Sequence, residues 1–210
     1  SMVQCSRWNE LVQSALFVAE LANVAKAPTE FRLLNNSPGP IFVGFDGDTN
    51  GYGLSQAKQV FQSSPDGGTP LCRHVNDVIQ QVRALEPQLR ANNQKAVVVI
   101  ATDGESSDGD ISVALRPIKD LPVQLIIRLC TNEDRIVNYW NKVEENLELN
   151  MDVLDDLAGE AEEIAIHNKW LTYAEPLHLL RLFGVSVKEF DLLDERKLSS
   201  DEMRKMITMM

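Results

Sequence analysis

Thr69 follows Gly67-Gly68 and precedes Pro70-Leu71, and Asp103 ends the apolar run Ala96-Val97-Val98-Val99-Ile100-Ala101-Thr102. A hydroxyl and a carboxylate are hard oxygen donors, the kind Mg²⁺ takes while keeping several of its waters. The run before Asp103 is too short for a typical helix and rich in β-branched side chains, so it reads as a strand buried on both faces. In an open parallel α/β sheet, ligands bind outside the carboxyl ends of the strands, which places Asp103 and the Thr69 loop on one rim.

Other residue sets point elsewhere. Asp46-Gly47-Asp48-Thr49-Asn50-Gly51 has the donor spacing that begins an EF-hand calcium loop, where alternate side chains converge and the glycine permits the turn. Its twelfth position is Ala57 instead of Glu, and a strand leads into it, so a polar turn is the favoured reading. His74, His167 and His178 lack ligand spacing, and no Ser or Cys is paired with one in a nucleophile pattern. They read as ordinary surface or core histidines. Ser106-Ser107-Asp108-Gly109-Asp110, just after Asp103, reads as a polar strand-to-helix connection that ends in a cap.

The elements needed to hold these residues follow from periodicity. Trp8, Leu11, Val12, Ala15, Leu16, Ala19 and Ala22 recur at helical spacing, with Phe17 and Leu21 widening the apolar surface, so this helix is expected to be mostly buried. Residues 31–34 and 41–45 read as two strands around a turn-rich loop. Helices are expected over 51–64, over 71–89 with Pro70 at its start, over 111–121 after Asp110 as cap, and over 133–147. The next strand is 123–130. Beyond Met151, Leu154, Leu157, Ala158, Ala161, Ile164 and Ala165 predict an amphipathic helix, and 176–183 a second. Ser199-Ser200-Asp201-Glu202 has capping-box spacing before Met203, Met206, Ile207 and Met210, whose stripe reads as a core contact.

On Gly67-Gly68-Thr69-Pro70-Leu71 and Thr102-Asp103-Gly104 the chain resembles a von Willebrand factor type A domain, over roughly residues 1–144. That family builds a metal-ion-dependent adhesion site from an Asp-x-Ser-x-Ser segment after its first strand, a Thr from a Gly-rich loop, and an Asp ending a later strand. The resemblance implies a metal set of Thr69, Asp103 and Ser1, with Ser1-Met2 matching the end of the family's Asp-x-Ser-Gly-Ser-Met segment. A cloning remnant before an initiator Met2 is the other reading of Ser1. Mg²⁺ or Mn²⁺ is the implied cation, and because the leading Asp and first Ser are absent, its binding by this chain is expected to be weak or absent. The implied fold is α/β, a doubly wound, mostly parallel sheet with flanking helices, Rossmann-like, over 1–150, with 151–210 as a helical extension packed on it. The family's first strand is also absent, so the edge of 96–101 is expected to pair with 31–34 or with a strand of another molecule.

A second resemblance is looser. A strand ending in Asp46-Gly47-Asp48, one ending in Thr102, and Leu154-Asp155-Asp156 resemble the haloacid dehalogenase phosphohydrolases, which implies Asp46 as nucleophile, Asp48 as acid/base, and Mg²⁺.

With 210 residues, 44% of them hydrophobic and 24% charged, the chain suits one compact domain with a core and a small appendage. A net charge of −11 without a basic stripe argues against nucleic acid. Glu144, Glu145, Glu148, Asp152, Asp155, Asp156, Glu160, Glu162 and Glu163 follow one another with no Lys or Arg between them, which reads as a solvated helix face or a surface for a basic partner. Cys5, Cys72 and Cys130 sit among apolar residues without metal spacing, so reduced core thiols and a cytoplasmic location are expected. No membrane-spanning run is present, so no membrane contact is expected. The expected function is a non-enzymatic protein-interaction module, whose partner offers an Asp or Glu carboxylate to the metal site. A metal-free scaffold is the bland alternative.

Overall fold

The computed structural model describes residues 7–35, 39–48, 50–64, 66–131, 133–147, 149, 151–185 and 187–209. The chain divides into two compact units, Ser1–Val78 with Glu105–Ala114, and Ile79–Gly104 with Leu115–Met210. No helix among the described residues is long and apolar enough to cross a membrane.

In the first unit, α1 (Arg7–Ala25) leads to a hairpin of β1 (Thr29–Phe31) and β2 (Ile41–Val43), followed by α2 (Tyr52–Val60). The strands are antiparallel, with Phe31 opposite Ile41 and Thr29 opposite Val43. The core gathers Ala19, Ala22, Ile41, Val43 and Ala57, flanked by Phe31, Leu54, Val60 and Phe61. Two of its α1 members are alanines, and their small side chains let the helix backbone come close to β2 and α2. Of the larger residues of α1, Phe17, Leu21 and Val24 are exposed, and Trp8, Leu11, Val12 and Leu16 are half-buried. The expectation of a mostly buried first helix is therefore corrected. So is the expected pairing of 31–34 with 96–101, because Phe31 pairs within the hairpin, whose short connection costs little closure entropy.

The second unit is α/β. β3 (Ala96–Thr102), β4 (Val123–Leu129) and β5 (Met151–Leu154) form a parallel sheet in the order β3-β4-β5. Ala96 stands beside Val123, and Ile126 beside Asp152. Every residue of β4 is buried, as expected of a central parallel strand. β3, at the edge, is not: Val97 and Val99 are exposed, which corrects the reading of this strand as buried on both faces. β5 was not anticipated. Met-Asp-Val-Leu is short and its burial does not alternate, so no period marks it as a strand.

α3 (Leu71–Ala91), α4 (Ile111–Leu115) and a 3₁₀ turn (Arg116–Asp120) precede β4, and α5 (Asp134–Leu147) leads to β5, burying Ile136, Trp140, Val143 and Leu147. The chain then continues through α6 (Leu157–His167), α7 (Glu175–Leu182), α8 (Lys188–Glu195) and α9 (Ser200–Met209). Ile164, Tyr173, Leu177, Phe190, Leu193, Leu198 and Met206 form one core, with Met203 against it, so the methionines pack as expected; Met210 lies outside the described residues. The capping box forms as read: Glu202 N–H donates to Ser199 Oγ at 3.3 Å, and Ser199 N–H to Glu202 Oε2 at 2.8 Å.

The acidic run is not one solvated helix face. It crosses α5, β5 and α6, and Glu160 is buried against Arg181, which also donates to Asp152 at 3.3 Å. Burial works against the charge on Arg181, and the carboxylates of Glu160 and Asp152 outweigh it, raising its pKa. Glu144 has no such partner. Burial, and then the charges of Asp152, Asp194 and Asp191, push it from 4.5 up to about 7.

Two predictions follow from this unit. Gly184 ends α7 with φ +80°, its N–H donating to Arg181 O and that of Val185 to Leu180 O, and a Cβ there would stand 2.6 Å from Val97 Cγ2. Gly184→Ala should cost about 2 kcal/mol in urea unfolding, the left-handed strain and the overpacking adding together. The raised Glu144 carboxyl favours the folded state while protonated, a contribution present below pH 4.5 and lost as pH rises to about 7. At pH 8, Glu144→Gln should therefore be more stable than the parent by about 1 kcal/mol after allowing for solvent screening, and the gap should close at pH 4.5. His178, held down at about 4 by burial and by Arg128 and Arg181, titrates in both proteins and cancels from the difference.

Candidate functional site

α3 begins at Leu71, after Gly67-Gly68-Thr69-Pro70, and its free N–H groups need acceptors. Leu71 N–H reaches back to Thr69 O at 2.8 Å. The next two are served from far along the chain: Cys72 N–H donates to Asp108 Oδ1 and Arg73 N–H to Asp108 Oδ2, each at 2.9 Å. The Ser106 hydroxyl donates to Asp108 Oδ1 at 2.8 Å and lies 3.3 Å from Cys72 Sγ. Partial desolvation of Asp108 opposes its charge, but the Arg73 N–H, the Ser106 hydroxyl and the Cys72 N–H prevail and hold it at about 2.

The same two loops grip each other one residue earlier. Thr69 N–H donates to Ser107 Oγ at 3.0 Å, and Ser107 N–H to Thr69 O at 2.8 Å. Asn35 Nδ2 donates to Gly68 O at 2.6 Å. This packing explains the paired glycines: a Cβ on Gly67, whose φ is +93°, would meet the Asn35 side chain at 2.9 Å, and one on Gly68 would meet Ser107 Oγ at 3.3 Å. Beside this rim a cavity of about 590 Å³ is lined by Leu34, Asn35, Asp66, Arg73 and His74 among others. Its wall is tied by His74 Nε2, 3.0 Å from Leu34 O.

Of the three predicted metal ligands, Thr69 is half-buried in the first unit and Asp103 is exposed at the end of β3 in the second; Ser1 lies outside the described residues. The strand end before Asp103 is closed by Thr102, whose hydroxyl donates to Gly104 O and accepts from Gly104 N–H, while Trp140 Nε1 donates to the same Gly104 O. Among the described residues, no group of three or more His, Cys, Asp or Glu gathers as a metal site. Asp108, in the same unit as Thr69, has both oxygens engaged.

The other candidate acids are also occupied. Asp48 accepts from Tyr52 N–H at 2.8 Å and Gly53 N–H at 3.2 Å, capping α2, and β2 before it belongs to an antiparallel hairpin. Asp156 caps α6, its Oδ1 accepting from Gly159 N–H. Thr49, in the calcium-like motif, lies outside the described residues. Cys72 and Cys130 are outside any disulfide, and Cys5 lies outside the described residues.

Two groupings escaped sequence reasoning: the Asp108 cap, 35 and 36 residues from its donors, and the Arg181 cluster with Glu160 and Asp152. The chain was compared with protein-family models, with curated proteins and with solved structures, and none matches.

The cap sets a measurable expectation. Asp108→Ala leaves two N–H groups of α3 without their acceptor and should lower stability by about 1–2 kcal/mol at pH 7. In the parent, this contribution is present above pH 3.8 and lost as pH falls toward about 2, so the two proteins should converge in acid unfolding followed by circular dichroism.

Proposed function

We propose that this chain is a protein-interaction module of the von Willebrand factor A type, not an enzyme, and that its rim at Thr69 receives an Asp or Glu carboxylate of a protein partner. The observation that carries this reading is the mutual grip of the Thr69 and Ser107 loops at the start of α3, with Asp108 committed to the helix. That arrangement holds the Thr69 hydroxyl on a braced backbone, where it can donate to a partner's carboxylate, while the N–H groups of the helix's first turn are already taken by Asp108. Asp108 acts there as a brace, and among the described residues of these loops no nucleophile is paired with a base.

In the resembled family a divalent cation bridges site and partner. In this reading the chain holds Mg²⁺ or Mn²⁺ weakly or not at all, and recognition rests on the Thr69 hydroxyl. The phosphohydrolase reading is not favoured, since its acid/base, Asp48, spends both oxygens on α2.

Calorimetry with Mg²⁺ and with Mn²⁺ should give little heat, and aryl phosphates with Mg²⁺ should not turn over. Micromolar cation binding lost in Asp103→Ala would restore the complete adhesion site, whereas hydrolysis abolished by Asp46→Asn would replace the binding module with the phosphohydrolase.

A further inference from the structure

β3 has one partner among the described strands, β4, and no described strand pairs along its other edge. Ala96 N–H donates to Pro122 O, and Thr102 O accepts from Cys130 N–H, so the even-numbered residues spend their backbone groups on β4. Strand geometry then turns the N–H and C=O of Val97, Val99 and Ala101 toward the other edge. Natural proteins guard such edges with charges, prolines or bulges. Between Lys95 and Asp103 this strand has neither charge nor proline, and its pairing with β4 runs without interruption. Val97 is 43% exposed and Val99 45%, although most residues of that type in a sheet are covered.

We propose that this other edge of β3 takes the β3 of a second copy of this chain, antiparallel about a two-fold axis at Val99. In this register Val99 faces Val99 of the second copy and Val97 faces Ala101, each pair exchanging two hydrogen bonds through groups that already point outward. The two Val99 side chains cover each other, and each Val97 is covered by Ala101 of the other copy. The register also brings Lys95, exposed just before the strand, opposite Asp103, exposed just after it, and the symmetry makes this match twice. A slip of one residue turns the wrong backbone groups to the edge, and a slip of two sets Asp103 against Asn93 or Val97, so this alignment alone satisfies both the outward backbone groups and the two Lys95–Asp103 pairs. The result is one continuous sheet across the two copies, with β5 at each outer edge. This inference does not rest on the reading of the Thr69 rim.

Sedimentation of the full chain in EDTA, over about a hundredfold range of concentration, tests it. The parent should show a reversible monomer–dimer equilibrium. Lys95→Asp and Asp103→Lys each replace attraction by repulsion at two places and should weaken the dimer about tenfold, while the double variant should recover the parent's behaviour. Both positions are exposed, and circular dichroism checks that the variants keep the fold. A parent that stays monomeric at every concentration overturns the proposal, as do single variants that dimerise like the parent or a double variant that fails to recover.

Discussion

Seven consecutive buried residues in β4 are the constraint on which the second unit turns. Each of its peptide groups needs a partner, and none can be water, so a strand must lie on both sides. β3 and β5 meet that need in parallel, and helices must return the chain between them. The register carries the consequence outward: Ile126 and Asp152 share a face, as do Arg128 and Leu154. On that face Leu179 and Leu182 of α7 pack with Ile126 and Leu154. α7 is therefore held by apolar contact at a height where its Arg181 reaches Asp152.

That reach has a cost that the rest of the unit must offset. A guanidinium only 3% exposed is tolerable only if its charge is met, and here Glu160 from α6 and Asp152 from β5 meet it from two elements. Such a cluster contributes little net stability but penalises any arrangement in which the three elements separate, since losing one carboxylate leaves a buried charge exposed to an apolar surround. It thereby specifies how α6 and α7 sit on the sheet. Burial pushes Glu160, Asp152 and Glu144 alike toward the neutral form, and only for the first two does the guanidinium of Arg181 oppose it.

Much of this fold was legible because its signals are local. The capping box of α9, the runs of β3 and β4, the hairpin around 31–45 and the helix after Thr69-Pro70 each depend on neighbours within a few residues, and the structure has them at or near the expected places. What was illegible depends on distant partners. The apolar width of α1 could not reveal that alanines would set the approach distance and leave Phe17 and Val24 outside. The run of β3 resembles that of β4 in composition, and only strand order tells an edge from a centre. The acidic tract read as a solvated surface because Arg181, which takes Glu160 out of water, comes 21 residues later. For the site, the two glycines and Thr69 were visible as a special loop, but not the side chain that braces it.

Asp103 and Asp108 show why a site cannot be read from residue type alone. Both are aspartates of one connection after β3, and either could have been chosen as a ligand on chemistry. Asp108 receives two backbone N–H groups and a hydroxyl, so its charge is already spent on ordering α3, and removing it for another purpose would undo the turn that holds Thr69. Asp103 is exposed at a strand end whose geometry is kept by Thr102 and Trp140 through Gly104, without recourse to the Asp103 carboxylate. A side chain that the local fold does not need is one that can be offered elsewhere, to a partner's hydroxyl, a cation or a lysine. The division between a carboxylate that builds and one that remains to bind is thus set by which backbone N–H groups lack an acceptor, and in this connection those belong to α3.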